Sequence, residues 1–443
     1  MDIKLPWGND TLSVTIPDTW EVIMPVRRDI SGTKTKTKSD GLSLIRRSLS
    51  DPIDSKPLSA FKLRGKRVVV IVDDNTRPTP VHLFFHLILS ELKKAGASLN
   101  NIIVIPALGI HTPMTGGEMA IKLGPKNVQA IKWENHNAFD LDANHYFGTT
   151  EKGVPVYLNK HLYNADMIVL IGLIEPHLWA GFGGGLKNIL PGVAYAETIG
   201  LHHEILAEPP YRVNRVGMSP ERNSFRTTIE EVRRMIPADI FCLNVAIDHQ
   251  RNIVASFAGD PIAAHRAGVE HSYITHGLMI PKQVDGVIVN SFPFDINFKQ
   301  GMRCVGNSLP ALRPGGAVMG FLRADRGLDD ITPPEGATPL WLAKSVLRAL
   351  GPARVFGFLE KTRPTLGIEE KFLVYYSMQL MREYDLYLHV PSLNAKDARA
   401  LGFFMHCEDP QEVIRRGMRK LGRRASVAVF PEGGDTFPVL EGA

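Results

Sequence analysis

Short apolar runs alternate with helix-period segments along most of the chain. "RVVVIVDD" (67–74) is rich in Val and Ile and ends in acids, which predicts a buried strand. "PVHLFFHLILSELKKAGA" (80–97) follows with Pro at its start and Gly near its end, the punctuation of a helix. "NIIVIPALG" (101–109) and "ADMIVLIGLIEP" (165–176) repeat the strand pattern. Continuous apolar strands separated by helices belong to parallel sheets covered on both faces. The same grammar restarts late in "VDGVIVN" (284–290), "GGAVMGFL" (315–322), "YDLYLHV" (384–390) and "ASVAVFP" (425–431). Helices are expected there over 338–350 and 409–421. The segment 259–283 reads as a helix and a short connection between the halves. "IKLPWGNDTLSVTIPD" (3–18) reads as a small hairpin turning at Gly-Asn-Asp. The expected fold class is therefore α/β: two α/β domains with mainly parallel sheets and a small N-terminal β-hairpin. The expected cut falls at 278/279, with an active site in the cleft between a first domain (1–278) and a second (279–443).

Composition narrows the class. Hydrophobic residues make up 44% and charged residues 22% of 443, as in an ordinary globular chain. No apolar run approaches the ~18 residues of a membrane span, and "MDIKLPWGND" lacks the pattern of a signal peptide. Cys242, Cys304 and Cys407 are too widely spaced for a disulfide framework or a CxxC metal site. The expectation is a cytoplasmic protein with no membrane and no nucleic-acid partner. The basic run "RRDISGTKTKTK" (27–38) has no interleaved aromatic residues and reads as an exposed loop. A net charge of +5 suits a small anionic ligand.

In open α/β sheets ligands gather beyond the carboxyl ends of the strands. Three polar clusters fall at such ends. "DDNTRPTP" (73–80) offers Asp74 and Arg77, while its Asp73 and Thr76 read as caps for the helix that follows. An arginine there can form paired hydrogen bonds to a carboxylate or phosphate. "LGIHTPMTGG" (108–117) places His111 in a loop, where a histidine alone is usually just solvated, and its "TGGE" can start a helix or give backbone access. "EPHLWAGFGGGLK" (175–187) carries His177, the glycines Gly183, Gly184 and Gly185, and Lys187. It is neither a Walker loop, since Asn188 follows the lysine, nor a GxGxxG fingerprint. Its backbone N–H groups could still cradle a phosphate. A helix beginning near Ala194 carries His202 and His203, whose directions differ by about 100°, so one of them can face the loop and two solvated histidines are the plainer reading. A zinc site from His177, His202 and His203 has no HExxH spacing behind it.

Taken together, the order DDxTRPTP, LGxH-x-PMT, EPH-x-x-AGF-x-GG-x-K and a histidine sixteen residues after the lysine resembles the nickel-pincer-dependent lactate racemase family, over roughly the first 280 residues and more loosely to "VFPEGGDTFPVL" (429–440). The resemblance implies an isomerase that inverts C2 of a 2-hydroxy acid by hydride transfer. It implies a nickel-pincer nucleotide, a pyridinium-3-thioamide-5-thiocarboxylate mononucleotide, held covalently on Lys187, with His203 as the protein ligand to nickel. It implies His111 and His177 as the acid/base pair, Arg77 as the carboxylate clamp, Asp74 at the substrate and cofactor end, and the glycines at 183–185 under the nucleotide. Separate cofactor-biosynthesis proteins would be its partners, and the second domain would close over the substrate. There the family pattern Pro-x-Asp-x-Asn-x-Tyr-Gln-x-x-Lys meets "PFDINFKQGMR" (293–303). Gln300 is kept, while Lys299 replaces the tyrosine and Arg303 the lysine, a change that points to a larger or more anionic substrate than lactate. The alternatives are a sugar-acid C2-epimerase of the same chemistry and a non-catalytic binder of a phosphorylated metabolite.

Overall fold

The computed structural model describes residues 1–27, 40–207, 215–248, 250–329, 331, 333, 338–362 and 368–441. Beyond Arg27, the basic run 27–38 lies outside the described residues. The chain forms two compact units. One comprises Ile30–Glu208 and Met218–Ser272; the other comprises Met1–Asp29, Pro209–Gly217 and Tyr273–Ala443.

The first of these holds a six-stranded sheet. From one edge its strands are Lys132–Trp133, Ile102–Ala107, Val68–Asp73, Met167–Leu173, Asp239–Ile247 and Ile253–Gly259. All neighbours pair in parallel except the last two, which form an antiparallel pair. The apolar runs are continuous because both faces are covered. Val68, Val70 and Val72 pack with Phe84, Phe85 and Ile88 of the helix Val81–Lys94. Val69 and Ile71 face Ile189, Leu190, Phe225 and Ile229 on the other side. Each such fully buried side chain contributes about 1.5–3 kcal/mol. The chain runs outward from Val68–Asp73 to Ile102–Ala107 and Lys132–Trp133. It then returns to lay Met167–Leu173 against the other side of Val68–Asp73. The order reverses between Val68–Asp73 and Met167–Leu173, so their carboxyl ends diverge and leave a crevice, the place where such sheets bind ligands.

The other unit repeats the logic with an all-parallel sheet in the order Met405–His406, Asp385–His389, Leu312–Phe321, Val284–Asn290, Ser426–Phe430, Glu21–Ile23. Its core includes Ile288, Met319, Val427 and Val429. The hairpin forms from Asp2–Trp7 and Asp10–Thr15, with Trp7 opposite Asp10 and Gly8-Asn9 as the turn.

A single cut at 278/279 does not describe these units. The first 29 residues pack with the C-terminal part of the chain. Leu5 and Trp20 enter its core, Gln411 exchanges hydrogen bonds with the Thr15 backbone at 2.9 and 2.6 Å, and Glu21–Ile23 adds the edge strand beside Ser426–Phe430. The strands Asp239–Ile247 and Ile253–Gly259, absent from the sequence reading, complete the other sheet.

Candidate active site

The three polar clusters lie where the crevice predicts. The strand Val68–Asp73 ends in two acids with different duties. Asp73 is buried and pairs with the buried ammonium of Lys122 at 2.7 Å, and the Thr79 hydroxyl donates to it as well. Burial raises its carboxyl above the ordinary value, with Lys122 and Thr79 opposing. Asp74 accepts from His111 Nδ1 at 2.7 Å and from the Thr76 hydroxyl at 2.6 Å. Burial alone would raise the Asp74 carboxyl, but the hydrogen bonds from His111 and Thr76 and the nearby Arg77 charge hold it below the ordinary range. Neither Asp73 nor Thr76 caps the following helix. That helix begins at Val81 with Pro80 in the cap position and no side-chain cap, so both residues lie too early in the chain to serve it.

Arg77 Nη1 pairs with Glu175 Oε1 at 3.2 Å. Its carbonyl accepts from Lys122 Nζ at 2.9 Å. Lys122 sits on the helix Gly116–Leu123, which Thr115 and Glu118 start with a capping box. "TGGE" is thus a helix start, and the helix returns a cation to the first cluster. His111 is not merely solvated: its side chain is 43% exposed yet bonded to Asp74.

The third cluster folds as a short hairpin, Pro176–His177 against Gly181–Phe182. His177 Nδ1 accepts from the backbone N–H of Trp179 at 3.3 Å and of Ala180 at 3.2 Å. Three glycines follow, and the space each lacks is filled from inside the protein. A Cβ on Gly183 would meet the Leu173 carbonyl at 2.9 Å; one on Gly184 would meet Asn244 Oδ1 at 2.7 Å; one on Gly185 would meet Arg226 Nη2 at 3.0 Å and His265 Cβ at 3.2 Å. Gly184 and Gly185 also have φ of +77° and +62°, which favours glycine.

The same residues pin the loop. Arg226 is fully buried. It donates from Nη1 and Nη2 to the Gly184 carbonyl at 3.2 and 3.3 Å and from Nε to Glu230 at 2.9 Å. His265 Nε2 donates to the Gly183 carbonyl at 3.1 Å, and Asn244 Oδ1 accepts from the Gly185 N–H at 2.9 Å. A buried ion pair such as Arg226–Glu230 is weak evidence for stability; here it fixes a backbone.

Lys187 keeps some contact with solvent but is enclosed by protein. Burial, then the Arg77 charge, bring its ammonium down to about 7, with Glu175 and Asp74 opposing and Arg226 adding to the fall. Lys187 is therefore partly a neutral amine at physiological pH, the form in which lysine is a nucleophile.

His202 and His203 both lie on the helix Ala196–Glu204 and both are buried, contrary to the solvated reading. His202 Nε2 bonds to the Phe225 carbonyl at 3.0 Å. His203 Nδ1 donates to the Ile199 carbonyl at 2.7 Å, which puts the lone pair of the neutral ring on Nε2. Burial pushes its imidazolium down to about 4, so the ring is neutral. Its ring meets that of Trp179 edge-on at 5.2 Å, and the Trp179 ring lies 6.3 Å from that of His177.

These features suit the implied cofactor. A neutral imidazole whose Nδ1–H is held by a carbonyl is the arrangement metal-ligating histidines use. Among the described residues no group of three or more His, Cys, Asp or Glu is placed to hold a metal ion; the implied cofactor would bring donors of its own. A sulfur-bearing pincer brings them, and soft donors with one imidazole suit nickel. Lys187 would supply the amine for attachment.

Lys299, Gln300 and Arg303 belong to the other unit. They follow the carboxyl end of Val284–Asn290, where that sheet's own order reverses. Asn297 caps the turn Phe298–Gly301, accepting from the Gln300 N–H at 2.9 Å. The Arg303 guanidinium lies 4.1 Å over the Phe294 ring.

Sequence reasoning passed over Lys122, Glu175, Arg226, Asn244 and His265. For Arg226 a signal existed: it lies among Phe225, Ile229 and Val232 on the buried face of the helix Ser224–Met235, with Glu230 four residues on. A cation on an apolar face needs a partner.

Residues 7–213 match the lactate racemase N-terminal domain. Lactate racemase from Thermoanaerobacterium thermosaccharolyticum is 31% identical over 322 residues, 72% of this chain and 73% of that protein. Lactate racemase from Lactiplantibacillus plantarum is 28% identical over 280 residues, 62% of this chain and 64% of that protein. The structure of the lactate racemase apoprotein from T. thermosaccharolyticum superposes with a TM-score of 0.80 at 24% identity, covering 99% of this chain and 100% of that one. A Thermotoga maritima protein shares the fold at a TM-score of 0.58 and 20% identity, over 90% and 96% of the two chains. With the sequence match extending over nearly three quarters of both chains and the fold over almost all of them, the chain belongs to the lactate racemase family.

Proposed function

We propose that this protein is a racemase or epimerase that inverts C2 of a 2-hydroxy acid by hydride transfer to and from a nickel-pincer nucleotide. The observation that carries the reading is the convergence of the charges of Asp74, Arg77 and Glu175 on Lys187, a largely enclosed amine brought down to about 7. A lysine among such charges serves attachment or catalysis better than it serves stability.

Lys187 would hold the nucleotide through a thioamide, and His203 Nε2 would be the protein ligand to nickel. The pinned glycines Gly183, Gly184 and Gly185 would give the nucleotide a floor that does not move. When bound, the group supplies a hydride acceptor and donor, which is what inversion at an unactivated C2 needs. Asp74 would stand at the cofactor end, a role supported by the effect of its charge on Lys187. Arg77, held at Nη1 by Glu175, has further N–H donors to clamp a carboxylate. The hydroxyl proton falls to His111 and His177, and an imidazole with an ordinary pKa of about 6.5 suits proton exchange near neutral pH.

Lys299, Gln300 and Arg303 are assigned to the substrate on the resemblance. Lactate is the first acid to test because the relatives are named for it. The cations at 299 and 303 favour a larger or more anionic acid, and a sugar-acid C2-epimerase is the second reading that they support.

The test is the intact mass and nickel content of protein made together with cofactor-synthesis enzymes, followed by chiral analysis of a panel of 2-hydroxy acids. A cofactor-sized adduct on Lys187, about one nickel per chain and inversion of one acid are expected. An unmodified Lys187 with no nickel would refute the reading and leave the binder of a phosphorylated metabolite.

A further inference from the structure

One helical turn touches both parts of the site expected to hold the cofactor. It is the first turn of the helix Ser224–Met235. Asn223 caps it, accepting from the N–H groups of Phe225 and Arg226 at 3.2 and 3.4 Å, and its Nδ2 donates to the Trp179 carbonyl at 2.9 Å. The next two side chains diverge. The centre of the Phe225 ring lies 4.0 Å from that of His202 and meets that of His203 edge-on at 5.0 Å. Arg226 instead reaches the Gly184 carbonyl with two N–H groups, in the loop that leads to Lys187. The helix gains nothing from this cation. A positive charge in the first turn opposes the macrodipole, and burial brings the guanidinium down to about 10, with Glu230 opposing. Glu230 does not depend on Arg226 for a partner. Arg266 holds both of its oxygens at 2.8 Å, and Arg266 Nη1 meets His265 Nδ1 at 3.3 Å. His265 in turn holds the Gly183 carbonyl. Successive carbonyls of the loop are thus gripped from two helices that share one carboxylate.

We propose that Arg226 is a positioning residue for the cofactor: it fixes the loop bearing Lys187 in register with the helix bearing His203. This rests on the racemase reading, which makes Lys187 and His203 the two points of attachment. A group tied covalently at one point and through a metal at the other tolerates little play between them, about 0.5 Å in functional sites generally. Neighbouring residues of one helical turn move together. With Phe225 against His203 and Arg226 on Gly184, the turn is a short strut between the two anchors. The Lys187 charge acts on His203, so the anchors are close enough for such a strut to span. Arg226 acts through the Gly184 backbone and not by contact with the reacting atoms.

The test compares Arg226→Met with Arg226→Lys. Methionine fills the space without a donor and leaves Glu230 paired with Arg266, so no buried charge is stranded. Lysine keeps a donor for the Gly184 carbonyl. The control is a loss in the core on the far face of the sheet, Ile88→Val or Ile88→Ala, whichever matches Arg226→Met in urea unfolding. The first arm uses cofactor-free protein and reads hydrogen exchange of the segment 181–189 by mass spectrometry. Exchange there should quicken about tenfold in Arg226→Met, as for a lost hydrogen bond from a charged group, and stay near wild type in Arg226→Lys and in the control. An unchanged loop, or an equal rise in the control, would overturn the proposal. The second arm uses protein made with the cofactor-synthesis enzymes. The fraction of chains carrying both the Lys187 adduct and nickel with wild-type absorption bands should fall by about 10–100-fold in Arg226→Met, the range for lost support of a metal ligand. Arg226→Lys should recover most of it, and the control should load like wild type. Full loading of Arg226→Met, or an equal loss in the control, would make Arg226 a structural residue only. Should Arg226→Met not fold, Arg226→Gln, whose side chain is shorter, carries the same expectations. If the wild-type protein takes no adduct, the racemase reading fails by itself, and the exchange of the cofactor-free protein still decides whether Arg226 grips the loop.

Discussion

The ammonium of Lys122 donates a 2.9 Å hydrogen bond to the carbonyl of Arg77. One buried cation on the helix Gly116–Leu123 therefore sets the height of the loop that carries the expected carboxylate clamp, and it is anchored by its ion pair with Asp73.

Replacing Lys122 by Met should leave Asp73 as an uncompensated buried carboxylate. A loss of about 3–5 kcal/mol is expected, as for other broken buried pairs. Urea unfolding measures it. A change below about 1 kcal/mol would show that solvent reaches Asp73 and that the pair does not set the loop.

The Lys187 ammonium makes stability depend on pH. Its folded value is about 7 against 10.5 in a free lysine. Between those values the unfolded chain binds more protons than the folded one, so stability rises with pH, by up to about 1.4 kcal/mol per pH unit. Below about pH 7 both states are protonated and the contribution is flat. The difference in unfolding free energy between cofactor-free wild type and Lys187→Met, followed from pH 6 to pH 11 or so, should show this rise. A pH-independent difference would mean that Lys187 titrates like a surface lysine.

Gly184→Ala should be costly on two counts. The new Cβ would lie 2.7 Å from Asn244 Oδ1, and φ is +77°. The backbone conformation alone costs about 1–3 kcal/mol. Thermal unfolding should show the loss, and mass spectrometry should show reduced modification of Lys187 when the variant is made with the cofactor-synthesis enzymes. Full stability and full modification together would contradict the role of the pinned loop.

Changing Lys299 to Tyr and Arg303 to Lys restores the pattern of the family segment. If those positions choose the substrate, the ratio of kcat/KM for lactate to that for a larger or dianionic 2-hydroxy acid should rise by about tenfold, the equivalent of ~1.4 kcal/mol. An unchanged ratio would remove both residues from substrate choice.

The sequence pattern reached those parallel strands that are continuous apolar runs bounded by polar turns, Val68–Asp73, Met167–Leu173 and Ser426–Phe430 among them, and it passed over Asp239–Ile247, whose run is broken by Asn244. It missed Ile253–Gly259, an antiparallel edge strand whose burial is mixed and whose sequence carries no such run. The clusters at 73–80, 108–117 and 175–187 could be placed together because strand ends in a parallel sheet share one edge. What they bond to could not be read. Nothing local says that Asp73 meets Lys122, 49 positions away in the chain (122 − 73 = 49). The burial of His202 and His203 likewise depends on Phe225 and Trp179, which the fold brings to them. The hairpin was clear from its own turn, but its partner lay at the far end of the chain.

The inward direction of the three missing Cβ atoms has an engineering consequence. Tolerance to change in this loop is governed from underneath, by Asn244, Arg226 and His265. Trimming Asn244 to Ala would not make room for Ala at 184, because Ile174 Cδ1 at 2.9 Å, the Leu173 carbonyl at 3.1 Å and a φ of +77° remain, so position 184 is expected to stay glycine whatever stands at 244.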